Sequence, residues 1–140
     1  MIAADLMTQN PRTLRVDDSV GEARRALSVM DVRHLPIVND DGEIVGIVSD
    51  RDLWGESLQL PDGMPSASPI SSLMTGAVVT VTPETDLVEV IELLLEQRVG
   101  AVPVVDADAQ VVGVVSYVDV LRSFGRAVAE AAEERAGLSA

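Results

Sequence analysis

The chain contains no cysteine, no lysine and a single histidine, His34. Without cysteine there are no disulfides, no thiolate metal sites and no thiol nucleophile. Without lysine, Schiff-base chemistry and the lysine of a phosphate-binding P-loop are excluded. One histidine cannot build a metal site, and without cysteine, lysine or a second histidine most of the usual nucleophile–base pairs of enzymes are unavailable. A two-carboxylate mechanism stays formally open, but nothing places such a pair across a substrate. No apolar run reaches the roughly 18 residues of a membrane span. The opening MIAADLMTQN lacks the basic flank and apolar stretch of a secretory signal, so a cytoplasmic location away from membranes is expected. Positive charge is also scarce. Ten basic residues, all arginine, face 23 acidic ones for a net charge of −13, which argues against a nucleic-acid partner.

What is present is a repeat. Met7–Leu53 overlies Met74–Val120 at a constant offset of 67 without a gap, and 14 of the 47 pairs are identical. The shared positions include Pro36/Pro103, Gly46/Gly113, Ser49/Ser116 and Asp52/Asp119. Each copy begins with an extended stretch (PRTLRV; VVTVTP). A helix follows, announced by Ser19-x-x-Glu22 or Asp86-x-x-Glu89, with apolar residues at helical spacing: Val20, Ala23, Leu27, Met30, and Leu87, Val90, Ile91, Leu94. Two short β-branched runs come next, LPIV and IVGIV or VPVV and VVGVV, separated by NDDGE or DADAQ, as in a hairpin of buried strands. A second helix is predicted from about Asp50 or Tyr117.

The pattern predicts an α/β (α+β) protein of two β-α-β-β-α units, packed sheet to sheet about a pseudo-twofold axis because one unit of about 50 residues buries too little alone. The boundaries fall at 2–54 and 70–124, with a Pro-, Gly- and Ser-rich linker over 55–69 and a helical tail over 125–140. The Ala-rich face of that tail is free to pack on the body or on a second chain.

The closing motif of each copy, GIVSDRD and GVVSYVD, holds Ser and Asp three residues apart while their neighbours change. At a strand end and helix start, i and i+3 share one face of the first turn, near free backbone N–H groups. A carboxylate there can accept two hydrogen bonds from a ribose diol, and the serine with the helix start can meet a phosphate or sugar oxygen. Both residues are equally common helix caps, and capping alone would keep them. Six of the ten arginines lie in the first 51 residues, a supply of guanidinium forks for an anionic ligand. Asp40-Asp41 and Asp106-x-Asp108 lack the glycine and closing glutamate of a calcium loop and read as turn residues. Gly46 and Gly113 mark strands that pass close to another backbone or a ligand.

The ordered set D-L-M-T…P, R-H-L-P-I-V-N-D-D-G with G-A-V-P-V-V-D, and G-h-V-S-x-x-D, occurring twice over residues 2–124, resembles a stand-alone tandem pair of CBS domains, a Bateman module. The resemblance implies a non-catalytic regulatory module that requires no cofactor. Such modules dimerise frequently and bind adenosine-containing ligands (AMP, ADP, ATP, S-adenosylmethionine or NAD) in clefts between the repeats. It further implies crosswise clefts. Ser116 and Asp119 would share one with Val32 and Arg33, and Ser49 and Asp52 the other with Val99 and Gly100. Ile47 or Val114 would lie against the base, with Arg33 and Arg51 as phosphate candidates and Arg98 a weaker one. The exchange of Asp50-Arg51 for Tyr117-Val118 predicts unequal clefts. The alternative is a ligand-free dimerisation module. Either way the chain is expected to form a homodimer and to act on a protein partner that the sequence does not name.

Overall fold

A computed structural model of the protein describes residues 1–30, 33–55, 68–73 and 78–139. Val32, the linker residues 56–67 and residues 74–77 lie outside the described set. In chain order the elements are α1 (Ala3–Leu6), β1 (Thr8–Gln9), β2 (Leu14–Arg15), α2 (Val20–Met30), β3 (His34–Val38), β4 (Ile44–Ser49), α3 (Asp50–Gly55), a 3-10 turn (Ile70–Ser72), α4 (Leu87–Gln97), β5 (Ala101–Val105), β6 (Val111–Ser116) and α5 (Tyr117–Ser139).

The apolar runs form two antiparallel hairpins. Pro36 pairs with Ile47 and Ile37 with Gly46 in one, Pro103 with Val114 and Val104 with Gly113 in the other. The hairpin turns are held by Asx contacts. Asn39 Oδ1 accepts the N–H groups of Asp41 and Glu43, both at 3.0 Å, and Asp106 Oδ1 accepts those of Asp108 and Gln110 at 2.9 and 3.0 Å. Gly42 takes the left-handed backbone at φ +80°, and its counterpart Ala109 takes φ +62° without being glycine.

The prolines set how far each hairpin can be extended. Pro103 accepts the N–H of Val81 on its outer side but has no N–H to return. The parallel partner is accordingly short: β2 pairs only with Ile37 and Val38, beyond Pro36, and Val81 forms a single bridge to Val104.

The helices cap as their sequences imply. Ser19 Oγ accepts the N–H of Glu22 at 3.1 Å, and Asp86 Oδ1 that of Val88 at 2.9 Å. α2 buries Val20, Ala23, Ala26 and Leu27 against Leu35, Ile37 and Val48, while α4 buries Val90 and Leu94 against Val102, Val104 and Val115. Each repeat thus has its own apolar cluster.

The repeats are tied by exchange of their opening segments. β1 pairs antiparallel with β6 of the second repeat, Thr8 opposite Val114 and Gln9 opposite Gly113. Ala3 fills the second cluster, and its N–H reaches the carbonyl of Thr85 at 2.8 Å. Reciprocally, Ile70 fills the first cluster and its N–H reaches the carbonyl of Asp18 at 2.8 Å. The sheets therefore run β1-β6-β5 and β2-β3-β4, each three strands wide. Gly113 passes directly over Met7: a Cβ there would lie 2.5 Å from Met7 Sδ and 3.1 Å from its Cβ. The close neighbour that the sequence demanded of this glycine is a side chain of the exchanged segment rather than a backbone or ligand.

Beyond Ser123, α5 leaves the body. Its residues from Phe124 to Gly137 are exposed, and Gly125 sits inside it without interrupting it.

Candidate functional site

Both Ser-x-x-Asp motifs close a strand and open a helix, and both form reciprocal caps. Ser49 N–H donates to Asp52 Oδ2 at 2.9 Å, while Asp52 N–H donates to Ser49 Oγ at 3.1 Å. Ser116 N–H donates to Asp119 Oδ2 at 2.9 Å, Asp119 N–H to Ser116 Oγ at 3.2 Å, and Ser116 Oγ–H to the same carboxylate oxygen at 3.0 Å. This is a capping box with aspartate in the answering position. Capping therefore accounts for the identity of both residues in both copies. It engages one carboxylate oxygen of each aspartate and leaves Oδ1 without a hydrogen bond among the described residues, so holding the helix start and holding a sugar are compatible tasks for the same side chain.

The copies differ in what surrounds the box. A cleft of about 410 Å³ opens over Asp119, a size suited to a small organic ligand. Its walls come from three places: the end of β1 and the turn after it, the start of β3, and the β6–α5 junction. Of the sequence-predicted residues, Arg33 lines it from the first repeat and Val114, Ser116 and Asp119 from the second. Residues of the two copies thus meet crosswise at this cleft. Val32 lies outside the described residues. Ser49, Asp52, Ile47, Arg51, Val99 and Gly100 do not line it, nor do they line a smaller hollow beside it bounded by Leu6, Asp119, Arg122 and Arg126.

Ser49 and Asp52 form the other box. Ile47 pairs with Pro36 in the first hairpin, and Val99 and Arg51 are exposed. The counterpart of the wall formed by Thr8–Arg12 is 75–79, most of which falls outside the described residues. The carbonyls of Arg33 and Gly100 accept the N–H groups of Asp50 at 2.8 Å and Tyr117 at 3.1 Å, closing each second helix onto the start of its own hairpin.

His34 is the pivot between the two sides. It pairs with Ser49 in the sheet, lines the Asp119 cleft, and its ring packs on Gly100, where an added Cβ would lie 2.8 Å from Nε2. Its counterpart in the second copy is Ala101, so the imidazole has no equivalent across the pseudo-twofold. Burial pushes its pKa below the ordinary histidine value, against the pull of Asp52.

Among the lining residues, Arg122 and Tyr117 were not ligand candidates in the sequence, and Arg12 entered only as one of the six arginines of the first half. Arg122 carried a usable signal, since it follows Asp119 by three residues and so shares its helix face. Arg12 was offered to an anion only as part of the first half's arginines, because the exchange of β1 that brings it to the second repeat is not visible in the sequence.

Two repeats of this kind with exchanged openings, a Ser-x-x-Asp box at each strand-to-helix junction and a cleft shared between copies define a paired module. The family model for the CBS domain matches residues 3–53 and 70–126, and the chain belongs to that family as a tandem pair. A CBS domain-containing protein of Dictyostelium discoideum is 29% identical over 129 residues, covering 86% of this chain and 89% of the relative. Homoserine O-acetyltransferases of Methanohalobium evestigatum and Methanococcoides burtonii are 29% and 30% identical, but the chain spans only 23% and 24% of their lengths. Among solved structures, a CBS domain pair in complex with 5′-methylthioadenosine and S-adenosylmethionine superposes with a TM-score of 0.80 at 30% identity, covering 89% of this chain and 96% of that one. CBSX2 in complex with AMP superposes with a TM-score of 0.74, also at 30% identity and with the same coverage of both chains.

Proposed function

We propose that the chain is a non-catalytic regulatory module that binds an adenosine-containing ligand in the Asp119 cleft and passes its occupancy to a protein partner. The observation that carries this reading is the cleft itself. It places a carboxylate with a free oxygen, a serine at a helix start and Val114 around one space of about 410 Å³ walled by both repeats. Ribose hydroxyls would donate to Asp119, and Val114 would lie against the base. That two similar CBS pairs are solved with adenosine compounds supports the same class of ligand. Because the walls come from both repeats, a ligand that favours one spacing of them would shift the module toward it.

The module is proposed to work as a homodimer in the cytoplasm. Val88 and Leu95 on α4 and Leu121, Phe124 and Val128 on α5 are each more than half exposed, and α4 packs beside α5. The first-repeat counterparts of Val88 and Leu95 are Gly21 and Ser28, so the second repeat offers the apolar face.

Calorimetric titration with AMP, ADP, ATP, NAD and S-adenosylmethionine tests the ligand reading. Asp119→Asn is the informative variant, because its amide oxygen can still accept from Ser116 N–H while the charge is lost. At least one compound should bind the parent, and about tenfold more weakly the variant, the worth of one charge-assisted hydrogen bond. Absence of binding by all five would leave the ligand-free dimerisation module as the better description.

A further inference from the structure

We infer that the Asp119 cleft selects the phosphate-bearing members of the adenosine class, with Arg12, Arg33 and Arg122 holding the phosphates, and discriminates against 5′-methylthioadenosine and S-adenosylmethionine. The inference rests on the reading of this cleft as an adenosine site and adds the charge of the ligand to it.

The charge of the cleft is opposite to that of the molecule. Three of the ten arginines of the chain line it together with one of its 23 acidic residues, Asp119, in a protein of net charge −13. Such a local reversal costs self-repulsion unless an anion occupies it. Nothing in the described structure neutralises these guanidinium groups. Arg15 pairs with Asp40 and Arg24 donates to the carbonyl of Leu53, but Arg12, Arg33 and Arg122 have neither an ion pair nor a hydrogen bond among the described residues.

The three arginines arrive on three separate elements, so they are not the solvated stripe of one helix. Asn10, at φ +48°, and Pro11 turn the chain after β1 and bring Arg12 over the second repeat. Arg33 immediately precedes β3, and Arg122 stands one turn beyond Asp119 on α5. Carrying the repeat offset across, their counterparts are Val79, Gly100 and Gly55, all uncharged. The convergence is therefore a property of one cleft and not of the repeat.

The neighbouring hollow shares Asp119 and Arg122 with the cleft and adds Arg126, one further turn along α5. A phosphate chain leaving a ribose held at Asp119 would run along guanidinium forks, whose planar donors match non-bridging phosphate oxygens. S-adenosylmethionine brings a sulfonium to the same place, and 5′-methylthioadenosine brings an uncharged thioether.

The test is calorimetry on the full chain with ATP, AMP, 5′-methylthioadenosine, S-adenosylmethionine and inorganic pyrophosphate. Arg12→Gln and Arg122→Gln are the variants, both at exposed positions and with melting temperatures checked against the parent. ATP and AMP should bind at least about tenfold more tightly than the two sulfur compounds, and ATP at least about tenfold more tightly than pyrophosphate alone. Each substitution should weaken ATP about tenfold, the worth of a charge-assisted contact, and change 5′-methylthioadenosine less than about twofold. If either sulfur compound binds as tightly as ATP, or if ATP binding ignores both substitutions, the charge selectivity is wrong while the adenosine site stands. If pyrophosphate matches ATP, the arginines form an anion site without a nucleoside. If none of the four adenosine compounds binds, the adenosine reading fails and this inference with it.

Discussion

Ser49/Asp52 and Ser116/Asp119 cap their helices in the same reciprocal way. In each copy the serine and one carboxylate oxygen close a helix start, and the second oxygen remains for another partner. The repeat made the pair visible in the sequence, yet spacing could not say which task kept it, because a cap and a ribose contact ask for the same residues at the same separation. His34 was less legible still: a lone histidine before Leu-Pro gives no hint that its ring will lie on Gly100, 66 residues away in the chain. That burial has a consequence for stability. Desolvation, aided by Arg33 and opposed by Asp52, Asp50 and Asp119, holds the imidazole below its ordinary pKa near 6.5. The unfolded chain therefore binds a proton in a range where the folded one does not, so the contribution is complete above about 6.5 and is lost as pH falls through the folded value. Melting temperatures measured from pH 7.5 down to 5 should fall more steeply for the parent than for His34→Gln. Parallel curves would show that the ring is not buried in this way.

At the scale of elements, the hairpins, both long helices and their caps were readable because each rests on local information: β-branched runs, helical spacing and capping residues. The exchange of β1 was not. Thr8–Gln9 reads as the start of the first repeat, and only the pairing of Gln9 with Gly113 reveals that it completes the second sheet. Gly113 is the point where that exchange is enforced, because any Cβ would collide with Met7. Gly113→Val is expected to lower stability by about 1–3 kcal/mol, the usual cost of overpacking. Chemical denaturation read by circular dichroism checks this, and Met7→Ala in the same chain should recover part of the loss. A neutral Gly113→Val would mean that the Met7 side chain moves aside without cost. The same exchange explains why the place of Arg12 was not foreseen: it belongs to the second repeat in space and to the first in sequence.

For the whole molecule, a gapless sequence repeat carries an unequal surface. The second repeat has the arginine-lined cleft and the exposed apolar residues of α4 and α5. Phe124 is 67% exposed and Leu121 60% exposed, a large apolar area for a free surface. Light scattering should give twice the 14.8 kDa chain mass for the parent. Leu121→Ser with Phe124→Ser should move it toward the monomer, whereas a monomeric parent would remove this face as an interface. The repeat and the asymmetry between Asp50-Arg51 and Tyr117-Val118 were both legible in the sequence. Which cleft the asymmetry favours was not, because that depends on residues brought in from the other copy. The most direct test is the stoichiometry of ATP binding by calorimetry, in the parent and in Asp52→Asn and Asp119→Asn. The expected result is one ATP per chain, retained in Asp52→Asn and weakened about tenfold or more in Asp119→Asn. Binding that survives Asp119→Asn unchanged, or that depends on Asp52 instead, would contradict the assignment of the ligand to the Asp119 cleft.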